Sequence, residues 1–364
     1  MTDMVYQKRE EAILAELNTL YKNYGYRRYK PASFEEYALY QENKDFLIGK
    51  NVITFSDLSG KLMAIRPDVT LSLVRHSDVA QDSAEKFFYN EKVYRQSSGG
   101  SNYKEISQAG VEVLGKIDGA VVGEITLLIC KTLAAVSENY LVDLSHMGFT
   151  QGLLNAFPSH TDLLSKYLKS KNLHDFKVLA AKCGFSQELV NAFGFAVGAC
   201  GSPAEVLKDA DKICLNNDMR GAVNELKGIY EIAEKFGCGS AININFSAVA
   251  NADYYNGVIY NGYLEGVPHS VLSGGRYDKL LEKFHKSGGA IGFALYLGEI
   301  ERYLAKEDDS VDYLVIYNAE TQGKALEFAQ YKISGGESVR ISTNVFNGLR
   351  YKKLVDLTVG EGAK

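Results

Sequence analysis

Apolar residues fall at helical spacing near the start of the chain. Ile13, Leu14, Leu17, Leu20, Tyr21 and Tyr24 recur three or four residues apart with charges between them, an amphipathic helix that Gly25 ends. The period then changes. "VITFSDLSGKLMAIR" carries two apolar runs around "DLSG", a hairpin signal. "KFFYNEKVYR" and "YKEISQAGVEVLG" read as strands joined by a flexible turn, "QSSGGSN". A helix capped by Asp118 is predicted over 119–139, and "YLVDLSHMG" follows as a strand. That helix is the most apolar of the chain, but Glu124 and Lys131 interrupt it. It suits a buried core rather than a membrane span.

From about 150 to 238 the chain reads as a helical insertion in a sheet protein, with breaks at "FPSH", "KCGFS" and "ACGSP". Strands return with "AININFS", "YYNGVIYNGYL" and "HSVLSGG". A helix "YDKLLEKF", a strand "AIGFAL" and a helix "LGEIERYLA" follow. Adjacent strands joined by hairpins predict an antiparallel sheet of the α+β class. "KEDDS" is a charged linker, and 311–364 alternates strand and helix as a small α/β tail.

At 364 residues the chain is long for one core and suggests two or three domains. Its 46% hydrophobic and 23% charged residues are those of an ordinary soluble globular protein. A net charge of -5 does not favour a basic nucleic-acid binder. The five cysteines, Cys130, Cys183, Cys200, Cys214 and Cys238, include no C-x-x-C pair. They predict reduced thiols in a cytoplasmic protein and argue against structural zinc. The N-terminus has no signal-peptide pattern.

Three segments carry candidate chemistry. In "YKEISQAGVEVLG", period two places Gln108 and Glu112 on one face of a strand whose two faces both look buried. A buried carboxylate needs a partner. Either Arg95 in the neighbouring strand supplies it, or the face lines a pocket for a small, polar, partly cationic ligand. In "IRPDVT", Asp68 and Thr70 suit a helix cap before "LSLVRH" as well as a site. "SGGRYDKLL" passes from strand to helix through Gly274 and Gly275, which would let the backbone approach a ligand or simply turn.

Taken together, "YGYRRYKP", "MAIRPDVT", "YRQSSGGSNYKEISQAGVEVLG", "NADYYNGVIYNGY", "VLSGGRYDKLL" and "AIGFALYLGEIERYL" resemble the histidyl-tRNA synthetase type of class II synthetase core. The order is that of the family and covers the chain to about Ala305. Within that superfamily the wording is closest to the regulatory subunits of ATP phosphoribosyltransferase, catalytically silent paralogues of the synthetase. The resemblance implies a class II synthetase-like antiparallel sheet flanked by helices, in a histidine-binding core over 1–305. It further implies a shortened anticodon-binding-like α/β domain over 311–364.

The resemblance also implies a histidine pocket. Asp68 and Thr70 match positions that bind the α-amino group, and Gln108 matches another ligand of the amino acid. Glu112 matches the carboxylate that accepts an imidazole N–H, and Tyr255 the hydroxyl on the other ring nitrogen. Tyr254, Asp253 and the glycines Gly274 and Gly275 support them. Arg95 matches a strand arginine if a one-residue gap is allowed. Charge around the ATP phosphates is depleted. Ala250 stands where the synthetase has an arginine three residues before "DYY". Glu299 stands where the closing motif has another, with Arg302 one turn later. Adenylation needs cations at those phosphates.

The resemblance therefore implies a regulator with no catalytic residue, cofactor or metal. It would bind L-histidine and pair with a short-form ATP phosphoribosyltransferase catalytic subunit. A homodimeric core, built in part around Pro31, would sit within a hetero-octamer, with neither tRNA nor membrane as partner. The alternatives are a divergent active histidyl-tRNA synthetase and an amino-acid sensor with some other partner.

Overall fold

The computed structural model describes residues 2–47, 51–79, 82–96, 102–247, 254–300, 310–345 and 349–358. The amphipathic pattern of the first segment forms a helix over Thr2–Asn23, which buries Ile13, Leu17 and Tyr21. Gly25, at φ 82°, ends it in the left-handed conformation, and the Tyr26 N–H returns to the Tyr21 carbonyl at 3.1 Å. The chain divides into two compact units. One is Glu11–Ile300, and the other is Met1–Glu10 with Glu301–Lys364.

In chain order the strands of the larger unit are β1 (Arg27–Arg28), β2 (Phe34–Glu36), β3 (Thr54–Ser56), β4 (Leu62–Ile65), β5 (Ala84–Gln96), β6 (Tyr103–Gly115), β7 (Tyr140–His146), β8 (Cys200–Gly201), β9 (Ile242–Asn245), β10 (Val258–Leu264), β11 (Leu272–Arg276) and β12 (Gly289–Tyr296). Nine of them form one sheet in the order β1-β5-β6-β12-β11-β10-β7-β9-β8. The central run from β5 to β7 is antiparallel throughout, as expected. Two outer pairings, β1–β5 and β7–β9, are parallel. Parallel neighbours need a long crossover, and the helical block between β7 and β9 supplies one.

That block is not helical throughout. Cys200–Gly201 pairs with β9 as a short antiparallel edge, because the chain comes back to the sheet between two of the helices. The helix after Asp118 covers Gly119–Ala134 and stops short of Asn139. Asp118 caps it by accepting from the N–H groups of Ala120 and Val121. Residues 297–300 form a short 3-10 turn. The rest of the predicted closing helix, Arg302 included, and most of "QSSGGSN" lie outside the described residues. The hairpin is where the sequence puts it. β3 and β4 pair antiparallel, with the Asp57 carboxylate accepting from the Ser59 and Lys61 N–H groups in the turn.

The predicted strand "YYNGVIYNGYL" begins only at Val258. Asn256 fixes the break. Its N–H reaches the Arg276 carbonyl at 3.0 Å, its side-chain oxygen takes the Asp278 N–H, and its side-chain nitrogen donates to the Asp278 carboxylate. Tyr254 and Tyr255 therefore sit at the mouth of the sheet rather than within it.

The short helix Thr70–His76 packs against this sheet with Leu71, Leu73 and Val74 buried. Its C-terminal end is held by Lys286, whose ammonium donates to the carbonyls of Val74, Arg75 and Ser77. Lys286→Met removes the donors and leaves those carbonyls unsatisfied. We expect a loss of about 2 kcal/mol in denaturant unfolding; an unchanged midpoint would show that the contacts carry no net stability.

In the smaller unit β13 (Ser310–Ile316), β14 (Val339–Ser342) and β15 (Arg350–Asp356) form a parallel sheet in the order β14-β13-β15. The helix Gln322–Ser334 covers one face, where Ala325 and Phe328 pack on Tyr313 and Val315.

Candidate functional site

The alternation of β6 turns Gln108 and Glu112 to one face, and the fold builds walls around them. Arg66 anchors one wall. Its guanidinium donates to the carbonyls of Pro31, Ala32 and Lys92 and pairs with Glu91 at 3.1 Å. The Tyr94 N–H in turn reaches the Arg66 carbonyl, so "RPDVT" lies along β5 and enters the helix Thr70–His76. Asp68, Thr70, Tyr89, Arg95, Gln108, Glu112, Tyr254, Tyr255, Gly274 and Tyr277 then line one slot in the sheet. Of the described site residues expected from the sequence, all except Gly275 line it. Gly275 stands behind Tyr255, where an added Cβ would come within 2.7 Å of the ring.

Asp68 serves two partners. One oxygen accepts from the Leu71 N–H at 3.0 Å, the capping role anticipated above, and the other faces Arg95 at 3.5 Å. Arg95 also donates to the Pro67 carbonyl at 2.8 Å. Arg95 is thus not the partner of Glu112. The ladder places Arg95 opposite Lys104 and Glu112 opposite Phe87, too far apart to pair directly. Burial raises the Asp68 carboxyl above its usual range, and the Arg95 charge opposes that.

Glu112 is 3% exposed and accepts from two hydroxyls, Thr70 at 2.7 Å and Tyr277. Burial pushes its carboxyl up to about 8, against the lowering effect of those two bonds. Both of these partners are neutral hydroxyls, so among the described residues no cation offsets the burial of the charge. Across the ladder stands Gly292, and a Cβ there would fall inside the Glu112 carboxylate and against the Val111 carbonyl. The glycine makes the room that the carboxylate occupies. Gln108 is 2% exposed, and its side-chain nitrogen is a buried donor with no protein acceptor. Such a donor is costly unless something accepts from it.

Tyr277 and Gly292 were not singled out from the sequence. Tyr277 stands two residues after the second glycine of "GGRYD", and the register β6–β12 is what sets Gly292 against Glu112. Of the remaining sequence expectations, Asp253 and Ala250 lie outside the described residues, and so does the side chain of Glu299.

The tyrosines nearly fill the slot. Tyr254 meets Tyr255 at 4.6 Å between ring centroids, Tyr277 at 5.5 Å and Phe46 at 5.9 Å. About 30 Å³ remains, space for one water. An amino acid is larger than this space, so the lining side chains must move to admit one. The chemistry on offer is a buried carboxylate with two hydroxyl donors at one end, an Asp–Arg pair at the other and an unsatisfied amide donor between. That set suits a small zwitterion with a hydrogen-bonding ring. Among the described residues no cluster of His, Cys, Asp and Glu suits a metal ion, and no helix is long and apolar enough to cross a membrane.

Known proteins of similar sequence and fold bear on the chain's family. A protein named ATP phosphoribosyltransferase regulatory subunit from Bacillus thuringiensis (strain Al Hakam) is 25% identical over 350 residues, 91% of this chain and 82% of its own length. A protein of the same name from Bacillus anthracis matches to the same extent. Among solved structures, an ATP phosphoribosyltransferase regulatory subunit/histidyl-tRNA synthetase from Bacillus halodurans C superposes with a TM-score of 0.76 at 22% identity, covering 97% of this chain and 95% of that one. A histidyl-tRNA synthetase from Nostoc sp. PCC 7120 gives 0.72 at 17% identity, over 94% and 84%. A chain of the ATP phosphoribosyl transferase (HisG:HisZ) complex from Thermotoga maritima gives 0.62 at 18%, over 78% and 96%. The sequence profile of the histidyl-tRNA synthetase family matches residues 5–300, and the chain belongs to that family.

Proposed function

We propose that this chain is the regulatory subunit of ATP phosphoribosyltransferase and binds histidine in the slot. It pairs with the short-form catalytic subunit, is needed for that subunit's activity, and relays histidine feedback to the first step of histidine biosynthesis. The observation that carries the reading is the buried recognition set: the Gln108 amide donor without an acceptor, beside Glu112 and Thr70. The names of the relatives support it, and so does the sequence at the ATP end, where Ala250 and Glu299 replace the arginines of the synthetase. A chain that holds the amino acid but lacks those cations is suited to sensing rather than adenylation.

Residues 1–305 form the histidine-binding core in this reading, and 311–364 a shortened anticodon-binding-like domain. Histidine inhibits by binding one state of the assembly better than another. Calorimetric titration of the co-expressed complex, with its activity followed at the same time, tests the proposal. Histidine that neither binds nor changes the rate would sink it. ATP–pyrophosphate exchange in the presence of histidine would instead establish the divergent synthetase.

The homodimer within the proposed hetero-octamer takes its support from an apolar face. Phe34 and Phe55 meet edge to face at 5.2 Å on the sheet β2-β4-β3, with Leu58 and Leu62 exposed beside them. An exposed cluster of this kind marks an interaction surface, and a second copy is the occupant we assign to it. Phe55→Glu is expected to shift the isolated chain from dimer to monomer in sedimentation. A variant that stays dimeric would remove this face from the interface.

A further inference from the structure

A cavity of about 350 Å³ lies on the face of the large sheet opposite the slot. Alternation along β11 sends Gly275 toward Tyr255 and Arg276 to the other face, where the helices Gly119–Ala134 and Asn217–Lys235 pack. Those helices approach closely where Ile232 meets Gly123, 2.7 Å from an added Cβ. Beside that contact they leave the cavity. Ile117, Val122, Ile229 and Ile232 give it an aliphatic wall, and Glu225 and Arg276 bring two charges to it.

Each charge is held from behind and left open in front. The Gly148 N–H donates to His146 Nδ1 at 3.0 Å, so the ring proton is on Nε2, which donates to Glu225 Oε2 at 3.1 Å. Oε1 of Glu225 is shielded from water and has no hydrogen-bond partner. A turn about the terminal bond, which is soft, brings either oxygen to the cavity. The bond from His146 holds the carboxyl below its usual range; partial burial opposes this, and the Arg276 charge assists it. Arg276 donates through Nε to Asp278 at 2.8 Å. Its stem lies across Gly257, where an added Cβ would come within 2.9 Å of two of its carbons. Among the described residues its two Nη groups make no hydrogen bond. Glu225 and Arg276 do not pair with each other, since the ion-pair partner of the first is His146 and that of the second is Asp278. Asp118, exposed at the rim, is engaged in the helix cap. An acceptor without a donor and donors without an acceptor, set beside an aliphatic wall, describe what is missing between them.

We propose that this cavity is a second ligand site, distinct from the slot, which takes an aliphatic α-amino acid. The ammonium group donates to Glu225, the carboxylate accepts from the Nη groups of Arg276, and the hydrocarbon side chain lies on Val122, Ile229 and Ile232. The volume is at the small end of the range for small-molecule sites and suits a ligand of that size. Gly228 lines the same cavity, and an added Cβ there meets nothing within 4 Å. A larger residue at that position would grow into the ligand's space without disturbing the protein around it.

The intact chain is titrated with leucine in a calorimeter at neutral pH. Binding is expected with a dissociation constant of about 1 mM or below. Gly228→Leu should abolish it while melting at or above the wild-type temperature, because leucine replaces a glycine inside a helix. Glu225→Gln keeps the bond from His146 and should weaken leucine by about tenfold or more. Isoamylamine lacks the carboxylate and isocaproate lacks the ammonium group, and each should bind about tenfold more weakly than leucine, or worse. A wild-type chain that does not bind leucine would overturn the proposal. So would binding that survives Gly228→Leu or Glu225→Gln, since the ligand would then sit elsewhere. Isoamylamine that binds as tightly as leucine would remove Arg276 from the site and refute the amino-acid assignment.

Discussion

Glu112→Gln is expected to weaken histidine binding by about 100-fold, or about 2.8 kcal/mol, in calorimetric titration at neutral pH. Among the described residues the buried carboxylate is the one charged acceptor for an imidazole N–H at its end of the slot, and an amide there keeps the shape but not the charge. The wild-type protein should also show an affinity that depends on pH in a definite way. In the unliganded protein Glu112 holds its proton up to about 8, while free imidazole gains one below about 6.5. A complex that pairs imidazolium with carboxylate contains one proton between the two groups. Between those limits the proton merely moves from Glu112 to the ring. Below them binding must release a proton, and above them it must take one up. Affinity should therefore be greatest between about 6.5 and 8, with proton release measured on the acid side and uptake on the alkaline side. An affinity that is flat across this range, or a Glu112→Gln variant that binds normally, would refute the role of the carboxylate.

The same group governs a second observable. The Glu112 pKa is raised from 4.5 in the unfolded reference to about 8 in the fold. Its favourable contribution is fully present below the lower value and is lost as the pH rises through the higher one. The Glu112→Gln protein should lack that part of the alkaline decline in melting temperature. It should fold at least as well as the wild type above neutrality, because a buried charge without a cationic partner is gone.

Gly292→Ala is expected to cost about 3 kcal/mol and to abolish histidine binding at the same time. The methyl group would occupy the place of the Glu112 carboxylate and press on the Val111 carbonyl. The pair should be coupled. Adding Glu112→Ala to Gly292→Ala removes one of the two collisions, so stability should recover only in part, because the Val111 carbonyl still stands in the way. Fully additive losses would show that the carboxylate does not fill the space beside the glycine.

The sequence disclosed most of the slot because its residues sit in short, ordered motifs. Asp68 and Thr70 lie within one turn of helix, and Gln108 and Glu112 lie on one face of one strand. Tyr254, Tyr255 and Gly274 follow in motifs of their own, and the fold gathers them all onto one slot. What stayed hidden was pairing between distant segments. Period two shows that Glu112 faces inward but not that Thr70, Tyr277 and Gly292 surround it, since that depends on which strand lies next and in which register. Arg95 was one candidate for its partner because the two occupy adjacent strands, yet the ladder separates them. The start of β10 was misread for a related reason. "DYY" has the β-propensity of its aromatics, but the bonds of Asn256 to Arg276 and Asp278 hold the two tyrosines out of the strand. The parallel outer pairings likewise depend on where the crossovers return.

Under the proposed function, the tyrosine packing over the slot would also fix a set point. If the open form is a small fraction of the population, the apparent dissociation constant is the intrinsic one divided by that fraction. If the chain binds histidine in the slot as proposed, the packed rings of Phe46, Tyr254 and Tyr277 would set how much histidine must accumulate before the protein answers. Residues that never touch the ligand can retune the threshold without altering what is recognised. In the proposed sensor, selectivity would rest on Glu112 and Gln108, and sensitivity on the aromatic cover.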